Sequence, residues 1–523
     1  MSPRAQGSQA RRSASNFVPM VGNFSVQYNF TSASIAVHIL SDPGYLGYAL
    51  REEPKWADDL TLATVFLGAM VGMLVMGRLG DMVGRARAMQ VTLVFTVLGS
   101  LIPACAFGGS NSTYAVVCIG RMVLGIGVGG TYPLSAVSSA EGCEESLCRG
   151  KHVGQAFFLQ QFGQLAPYLV AMLLLALLQP STPAEWVPQL QFRLLFALGA
   201  VPALVVLVSS FNEQDSEEFT EAQVAQAQGS LRLRHAGLAS TLLGTAGSWF
   251  FYDTAFYGTT IFAPTILERM CLTGSMVDGR CQQSLQQISQ QSAIITAMGI
   301  PGCYAAMMMI DRMGCKRLNA YGFLALAVSF AALALAWMLA PQLHLLHFVL
   351  FCLLTFLLSW GPNLGTYVLP VICFPAVIRS TGHGLSSAGG KVGAVAGALI
   401  FPPISTGPCG VTGVLWLQAV ICLLGAVVSW AFLKHDWEYM ASGSGSFTFN
   451  VEVAGPILAQ GWIVAIGHSS GTLGLLSRTI HMPAIAWLLA VSILAAILAR
   501  CPDSTKCPYH PYDSEAFRQA CLA

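Results

Sequence analysis

Charged residues are scarce in this sequence. Asp, Glu, Lys and Arg make up 10% of its 523 residues, whereas apolar residues make up 54%. Soluble globular chains carry about 25% charged residues, because a water-exposed surface requires them. The composition therefore excludes a series of ordinary soluble domains and indicates a chain embedded in a lipid bilayer.

Neither sign of charge is in surplus. Lys and Arg number 26 and Asp and Glu number 25, which gives a formal net charge of +1. The arginines are dispersed and form no basic stripe, so nucleic acid is not an expected partner. The 15 cysteines are an odd number, and most lie inside apolar runs where Cys acts as a small hydrophobic residue. No disulfide framework, metal site or cofactor is predicted.

Long apolar segments occur in two sets of six. The first set lies near 17–40, 60–80, 88–108, 114–137, 153–178 and 191–210, and the second near 238–266, 287–310, 318–340, 345–370, 383–405 and 411–433. A membrane-spanning helix needs about 20 mostly apolar residues, and these segments meet that length. We predict an all-α membrane protein in which two six-helix halves surround a site at the middle of the membrane.

The same pattern predicts the domain organisation. The expected regions are a disordered N-terminal tail (1–16), an N-terminal six-helix half (17–210), a cytoplasmic linker (211–237), a C-terminal six-helix half (238–433) and a C-terminal extension with one or two further membrane helices (434–523). Lys and Arg are concentrated in the loops on one side of the predicted bundle. Because such loops stay in the cytoplasm, the N-terminus is expected to be cytoplasmic.

Equivalent turns of the two halves carry similar residues. G-R-L-G-D-M-V-G-R-A-R (77–87) follows the second segment, and D-R-M-G-C-K-R (311–317) follows the eighth. An internal repeat of this kind is common in transporters, whose halves move relative to each other. We assign a gating role to residues of these loops and to two arginines inside or beside later segments. The set is Gly77, Asp81, Gly84, Arg85, Arg121, Asp311, Arg312, Gly314 and Arg379.

A few ionisable residues lie inside or at the ends of predicted spans. Their burial costs several kcal/mol, so by default they mark a pathway or a binding site. Asp253 and Lys391 lie in the middle of segments of the second half. Arg121 and Glu141 bracket the fourth segment, where simple pairing between helices is an equal alternative.

The surroundings of Asp253 and Lys391 suit a small anion. Trp249, Asp253 and Tyr257 recur with helical spacing, so they share one face of the seventh segment. Lys391 supplies a positive charge, and a carboxylate beside an anion must take up a proton or repel it. Substrate and proton binding are then linked, as in a symporter. Neutral hydrogen-bonding partners are expected from Tyr132, Gln160, Trp249, Tyr257 and Asn363.

At these residues the sequence resembles the major facilitator superfamily, and within it the proton-coupled inorganic phosphate symporters of plants and fungi. The resemblance rests on the 77–87 loop, on R-M-V-L-G-I-G-V-G-G-T-Y-P-L-S-A (121–136) with Glu141, on W-F-F-Y-D-T-A-F-Y (249–257), and on G-P-N (361–363), F-P-A-V-I-R-S-T-G-H-G (374–384) and G-K-V-G-A (390–394). It implies phosphate contacts by Tyr132, Gln160, Trp249, Asp253, Tyr257, Asn363 and Lys391.

Three segments of the sequence depart from the pattern of that family. Thr131 stands where the family has Asp, V-Q-Y-N (26–29) replaces an acidic D-x-Y-D, and Ile372 replaces a Glu. We still place Thr131 in the substrate site, because its hydroxyl can keep a hydrogen bond although it cannot carry charge. Proton coupling is assigned to Asp253 and to Glu141, the residue that matches an acid of the family.

The predicted function is secondary active transport in the plasma membrane, with inorganic phosphate and protons taken up together by alternating access. No enzyme is predicted, since no glycine-rich nucleotide loop follows a strand. Two alternatives stay open. One is a carrier of another organic solute, such as a phosphate ester, an organic anion or a sugar, and the other is a non-transporting phosphate sensor.

Overall fold

The computed structural model describes residues 16–42, 50–57, 60–143, 149–178, 184–228, 238–270, 275–277 and 280–434. Residues 1–15 and the extension beyond 434 lie outside this set. The disorder predicted for the tail and the helices predicted for the extension therefore stay predictions.

Each predicted span of the first half is mostly helical. Its helices are α1 (Phe17–Ser41), α2 (Leu60–Val83), α3 (Arg85–Ala104), α4 (Ser110–Glu141), α5 (Arg149–Leu177), α6 (Trp186–Ala197) and α7 (Ala200–Ser210). Helices α6 and α7 follow each other closely and together form one span-length segment, Trp186–Ser210. Six spans thus precede the linker, as the apolar segments predict.

The second half begins after a short linker helix, α8 (Glu217–Ala227). Its elements are α9 (Leu238–Met270), the antiparallel strands β1 (Ser275–Val277) and β2 (Arg280–Gln282), α10 (Leu285–Ala297), α11 (Gly299–Met313), α12 (Cys315–Leu339), α13 (His344–Ser359), α14 (Pro362–Cys373), a 3₁₀ turn (Ala376–Ile378), α15 (Arg379–Thr406) and α16 (Gly410–Phe432). The pairs α10–α11 and α13–α14 each make one span-length segment, Leu285–Met313 and His344–Cys373.

Within the described residues, ten helical segments are long and apolar enough to cross a bilayer. Helices α1 and α9 complete the two predicted sets of six. Helix α1 is less apolar because several of its polar residues face inward, including the buried Asn23, Gln27 and Asn29. A polar helix face can remain in a membrane only where other helices cover it.

The burial pattern agrees with a membrane environment. Large apolar side chains such as Val75, Ile119 and Val328 are more than half exposed on the outside of the bundle. Polar and charged side chains such as Asp253 and Lys391 are buried inside it. This arrangement is the reverse of a soluble core and surface.

Glycines allow some helices to pack very closely. Gly125 and Gly129 of α4 lie directly against the backbone of α2 near Gly68 and Ala69, where an added Cβ would collide. Close approach of small residues replaces the hydrophobic effect as the source of helix association in lipid. Contacts of α15 with α2, and of α10 with α5, join the two halves.

Candidate functional site

Lys391 and Asp253 form a buried ion pair at the centre of the bundle. The Nζ atom of Lys391 on α15 donates to Oδ2 of Asp253 on α9 at 2.9 Å. It also donates to the hydroxyl of Tyr257, one turn along α9, at 2.9 Å. Both charged residues are at most 2% exposed. The spacing of α9 predicts a common face for Asp253 and Tyr257, and the structure brings Lys391 to that face.

Aromatic rings from both halves surround the Lys391 ammonium. The ammonium lies 4.3 Å from the ring centre of Tyr257 and 5.4 Å from those of Phe30 and Tyr132. The ring of Phe66 is 6.0 Å away. Ring faces attract a cation, and the attraction is strongest where water is excluded. Helices α1, α2 and α4 of the first half therefore meet α9 and α15 of the second half at one ammonium group.

Tyr132 and Trp249 lie between the Lys391 ammonium and helix α14. Their rings meet edge to face at 6.2 Å between centres, and Tyr132 meets Tyr367 of α14 in the same way at 6.0 Å. The Tyr132 hydroxyl accepts a hydrogen bond from Gln27 Nε2 at 3.1 Å. Trp249 packs against Gly390, where an added Cβ would lie 2.8 Å from Trp249 Cγ. Both predicted aromatic residues thus contact the Lys391 cluster or its neighbours.

Gln160 and Asn363 are buried but are not bonded to this cluster. Gln160 lies on α5 and Asn363 at the start of α14, and they are 3% and 6% exposed. Gln160 Oε1 and Asn363 Nδ2 have no hydrogen-bond partner among the described residues. A buried amide without partners is unfavourable, since each lost hydrogen bond leaves its desolvation cost uncompensated. These two atoms are available to a ligand.

Thr131 is buried but is not bonded to the Lys391 cluster. Its hydroxyl donates to the carbonyl of Gly127 on the preceding turn at 3.1 Å. Its methyl carbon lies next to Gly22 of α1, and a Cβ added to Gly22 would be 3.2 Å from this methyl group. No hydrogen bond in the described residues joins Thr131 to Lys391 or Asp253. A substrate-binding role for Thr131 stays a prediction.

Two arginines and one glutamate form a second charged cluster where α3, α4 and α15 meet. Arg85 Nη2 lies 3.0 Å from Glu141 Oε1, and Arg379 Nη1 lies 3.1 Å from the same oxygen. Arg85 and Glu141 belong to the first half, whereas Arg379 begins α15 of the second half. The shared carboxylate therefore ties the halves together. Glu141 is not in contact with Lys391, and its predicted part in proton coupling stays untested.

The linker helix α8 is part of this second cluster. Ser216 caps α8 by accepting from Phe219 N at 3.1 Å and donates to Glu141 Oε2 at 3.0 Å. Glu218 bonds Arg379 at 2.8 Å and Arg149 at 3.0 Å. The Arg85 guanidinium lies 3.5 Å above the Phe219 ring. We call the side of the bundle that carries α8 the linker side.

The charge state of Glu218 favours these contacts. Partial burial raises the pKa of its carboxyl, but the positive charges of Arg379 and Arg149 outweigh burial and hold the pKa below its usual value. The ion pairs therefore contribute fully above the ordinary Glu pKa of about 4.3. Their contribution is lost only as the pH falls through the lowered pKa.

The repeated acidic residues cap helices of the opposite half. Asp81 of α2 accepts from the backbone N–H groups of Ser380 and Thr381 at 3.2 and 2.7 Å, at the start of α15. Asp311 of α11 accepts from the backbone N–H of Lys151 at 3.1 Å, at the start of α5. A carboxylate at a helix N-terminus is stabilised by free N–H groups and by the helix dipole. Each half thus holds a helix end of the other half on the linker side.

The repeated glycines have the same backbone conformation. Gly84 has φ of 102° and Gly314 has φ of 78°, and each residue precedes the first turn of the next helix. Only glycine adopts this region without strain. Gly84 also leaves room for the Asp215 carboxylate, which accepts from Arg85 N at 2.6 Å. Gly77 lies against the backbone of Ser380.

Arg121 and Arg312 lie apart from the second cluster. Arg121 is 2% exposed, and its Nε donates to the carbonyl of Thr61 at 2.8 Å. It precedes Glu141 by 20 residues on α4, which is about 30 Å along a helix, so the two do not pair. Arg312 is exposed beside Asp311. The gating roles predicted for these two arginines stay predictions.

A cavity opens on the side opposite the linker. It lies between α1, α5, α9, α10 and α13, and its lining includes Ser34, His38, Gln164 and Thr259. Phe256, the neighbour of Tyr257, also lines it. The Lys391 cluster therefore lies between this cavity and the cross-linked helix ends of the linker side.

Sequence reasoning missed several residues of both clusters. Phe30 lies in a predicted span that contains several polar residues and Phe66 in a mostly apolar one, and neither pattern shows which ring faces a cation. The linker helix had a signal: Ser216 followed by two glutamates is a typical helix start. That pattern predicts the start of a helix, but it does not predict that α8 contacts arginines of both halves.

Comparisons with known proteins agree with this geometry. The sequence profile of the family described as "Sugar (and other) transporter" matches residues 16–233 and 260–436. The chain is 33% identical over 433 residues to "Inorganic phosphate transporter PT2" of Toxoplasma gondii, covering 80% of this chain and 71% of that protein. It is 30% identical to "Probable inorganic phosphate transporter 1-6" of Arabidopsis thaliana, covering 81% of this chain and 92% of the relative.

Solved structures give the same fold. The proton:xylose symporter XylE of the major facilitator superfamily, bound to 6-bromo-6-deoxy-D-glucose, superposes with a TM-score of 0.66. The superposition covers 82% of this chain and 97% of XylE at 20% identity, which supports the fold alone. The two-half helical fold and the family resemblance predicted from the motifs are confirmed. The chain belongs to the Sugar (and other) transporter family, and it is a multi-pass membrane transporter of the major facilitator superfamily, not an enzyme.

Proposed function

We propose that this protein transports inorganic phosphate together with protons by alternating access. The observation that carries the proposal is the buried Lys391–Asp253 pair, enclosed by rings from both halves. A cation at the interface of the halves can bind an anion that either side delivers. The relatives named above support phosphate as that anion.

The pair also supplies a mechanism for coupling. In the structure Asp253 neutralises Lys391, so an anion must compete with a carboxylate 2.9 Å from the ammonium. Protonation of Asp253 removes that competitor and leaves Lys391 free to bind phosphate. Loss of the proton restores the pair and expels the anion. Proton and phosphate binding are thus mutually favourable, which is the thermodynamic requirement for symport.

The remaining site residues then orient the substrate. Tyr132, Tyr257 and Trp249 present O–H and N–H donors near Lys391, and Gln160 and Asn363 carry unsatisfied amide atoms. Dihydrogen phosphate has both donors and acceptors, so it can satisfy both kinds of amide atom. Asp253 is the proton carrier in this scheme.

We place the linker side in the cytoplasm of a plasma-membrane protein. The loops on that side carry Arg78, Arg87, Lys316 and Arg317, as cytoplasmic loops do. The second cluster then closes the cytoplasmic side, and the cavity beside Phe256 gives access from outside. Opening on the cytoplasmic side requires Arg379 to leave Glu141.

A solute panel tests the function. Purified protein in liposomes is given radiolabelled phosphate, a phosphate ester, an organic anion and a sugar. Each solute is tested with and without a proton gradient directed inward, in which the outside is more acidic than the lumen. Phosphate accumulation that requires the gradient is the expected result. Accumulation of another solute instead would identify an organic-solute carrier, and binding without accumulation would identify a sensor.

Loss of the Glu141 carboxylate is expected to open the cytoplasmic side. Glu141→Gln leaves Arg85 and Arg379 with no shared counter-ion, and breaking a buried ion pair costs about 3–5 kcal/mol. A change of that size exceeds what is needed to shift a two-state equilibrium 100-fold. Ketone-bearing residues introduced at the exposed positions 87 and 317 can carry spin labels. The distance between the two labels, measured by double electron–electron resonance, should increase in the variant.

The matched control is Glu217→Gln, which removes an exposed carboxyl from the linker helix α8. Its label distances should match those of the wild type. Equal distance distributions in Glu141→Gln and the wild type would show that this cluster does not hold the closed state.

Restoring the acid at position 131 tests the departure from the phosphate symporters. Thr131→Asp adds a buried carboxyl on α4, the residue before Tyr132, and such a group must bind a proton or repel an anion. We expect the pH profile of phosphate uptake to shift or the proton-to-phosphate ratio to rise. If the substrate is not phosphate, the added charge should only weaken transport.

Thr131→Asn serves as the uncharged control of similar size. A Thr131→Asp protein that matches the wild type at every pH would show that position 131 does not face the site.

A further inference from the structure

A buried histidine lies on α15 between the two clusters. His383 follows Arg379 by four residues and precedes Lys391 by eight, which places it about 6 Å from the first and about 12 Å from the second along the helix. Ser387 lies between His383 and Lys391, and its hydroxyl donates to the His383 carbonyl at 2.9 Å. His383 is 0% exposed. It therefore lies between the Lys391–Asp253 pair and the second cluster on the linker side.

The hydrogen bonds of His383 define its tautomer. Its Nε2 lies 3.1 Å from the backbone carbonyl oxygen of Tyr367. A carbonyl oxygen only accepts, so Nε2 carries the hydrogen. The other ring nitrogen, Nδ1, is buried and has no hydrogen-bond partner among the described residues. Nδ1 thus holds a lone pair that can accept a proton.

The ring is held by residues of the substrate site. His383 meets Trp249 edge to face at 5.4 Å between centres and Tyr367 at 5.3 Å. The Tyr367 hydroxyl accepts from Asn23 Nδ2 at 3.1 Å and bonds Ser135 Oγ at 3.0 Å. A movement of Trp249 on substrate release would therefore reach the imidazole directly.

Several ionisable groups lie on the elements packed against α15, but within the described residues none of their carboxylates is bonded to His383. Its direct ring contacts are Trp249 and Tyr367, and Asp81 is bonded to the backbone at Ser380 and Thr381 instead. The groups in question are Asp81 of α2, Tyr132 and Glu141 of α4, Asp253 and Tyr257 of α9, Tyr367 of α14 and Cys422 of α16, with Arg379 and Lys391 on α15 itself.

We propose that His383 is the proton acceptor on the linker side of the site. When that side opens, the O–H bond of protonated Asp253 breaks, its proton passes through water to Nδ1, and a new N–H bond forms there. The imidazolium then gives the proton to bulk water, and the carboxylate re-forms its pair with Lys391. This step rests on the proposed proton-coupled function and extends it to the release of the proton.

The test compares His383→Gln with a matched control. Gln retains an amide N–H that can donate to the Tyr367 carbonyl, but it cannot take up a proton. His347 of α13 is the control position: it is 1% exposed, its Nε2 also lacks a partner among the described residues, and its ring packs on Trp337 at 4.6 Å. His347→Gln removes an equally buried imidazole outside the site.

Two assays in liposomes separate the proton step from folding and substrate binding. Phosphate exchange at equal pH on both sides needs no net proton movement, whereas uptake driven by a pH gradient does. For His383→Gln we expect near wild-type exchange, gradient-driven uptake at least about tenfold slower, and a flatter pH profile, since proton-transfer groups contribute factors of this size or more. His347→Gln should match the wild type in both assays.

Two outcomes would overturn the proposal. One is gradient-driven uptake by His383→Gln at the wild-type rate and with the wild-type pH profile. The other is equal loss of exchange and gradient-driven uptake in both His383→Gln and His383→Asn, which would make the residue structural. The wild-type arm distinguishes the proposed function: if the wild type accumulates no phosphate, that function fails, whereas normal wild-type accumulation with a normal variant rejects only the role of His383.

Discussion

Asp253→Asn is expected to abolish phosphate accumulation against a gradient while leaving phosphate exchange measurable. The neutral amide has the shape of the protonated carboxyl, but it cannot release a proton. Lys391 would lose its counter-ion, which lies 2.9 Å away in the native pair, and would be available to an anion at every pH. The accumulation ratio in liposomes should fall to about one, because uptake no longer draws on the proton gradient.

A second measurement follows from the unpaired ammonium. Removing one partner of a buried ion pair costs about 3–5 kcal/mol, so Asp253→Asn should be less stable than the wild type without substrate. Phosphate would replace the missing carboxylate and restore part of that stability. The phosphate-induced rise in Tm should therefore be larger in the variant than in the wild type.

Glu221→Gln, an exposed carboxyl on the linker helix, is the control for the loss of one negative charge. It should accumulate phosphate like the wild type. Full gradient-driven accumulation by Asp253→Asn would exclude Asp253 as the proton carrier. Loss of exchange as well as accumulation would mean that the carboxylate, and not only its proton, is needed to bind substrate.

The shared helix face at the centre of the site was predictable because it depends on local periodicity. Trp249, Asp253 and Tyr257 share a face through helical spacing alone, and a charge in the middle of a span must find a partner. Lys391 was the only lysine in the middle of a predicted span. In the structure Lys391 contacts Asp253 and Tyr257, while the roles of these residues toward phosphate stay predictions.

The enclosure of the pair was not predictable. Phe30 and Phe66 come from helices of the first half, and an apolar ring has the same sequence pattern whether it faces lipid or an ammonium. Their position depends on how α1 and α2 rotate against α9 and α15. Such packing between distant segments is not encoded in any short motif.

Two helix breaks lie inside segments that the apolar pattern predicted as continuous spans. Gly361 has φ of 80° and lies against Gly322, where α13 ends and α14 begins. The Gly-Pro pair at 361–362 is a typical breaker, yet the apolar pattern predicted one continuous span. The break at Met298, between α10 and α11, is also marked, because Gly299 and the Pro-Gly pair at 301–302 follow it.

Lys391→Ala is expected to remove phosphate binding almost entirely, whereas Lys391→Arg should weaken it far less. Without the ammonium, no positive charge remains to attract phosphate, and the buried Asp253 must take up a proton or repel the anion. Truncating one partner of a buried charge pair costs about 2–5 kcal/mol of binding free energy, which corresponds to a loss of about 30-fold or more in phosphate affinity. Arginine keeps the positive charge but not the compact shape that fits between Tyr257 and Tyr132, so a loss of about tenfold is expected.

Phosphate affinity can be measured by calorimetry on detergent-solubilised protein. Lys316→Ala is a matched control, because that ammonium also lies over an aromatic ring, 5.4 Å from the centre of Trp430, but outside the site. Its affinity should equal that of the wild type. Equal affinities in Lys391→Ala and the wild type would remove Lys391 from the binding site.

The double variant Asp253→Asn/Lys391→Ala separates charge pairing from anion binding. Removing both charges leaves no unpaired ion in the membrane, so the double variant should be more stable than Lys391→Ala alone. Phosphate binding should nevertheless stay as weak as in Lys391→Ala, because no cation remains to attract the anion. If the second substitution instead restored binding, the loss in Lys391→Ala would come from repulsion by Asp253 alone, and the neutral donors around the site would suffice to hold phosphate.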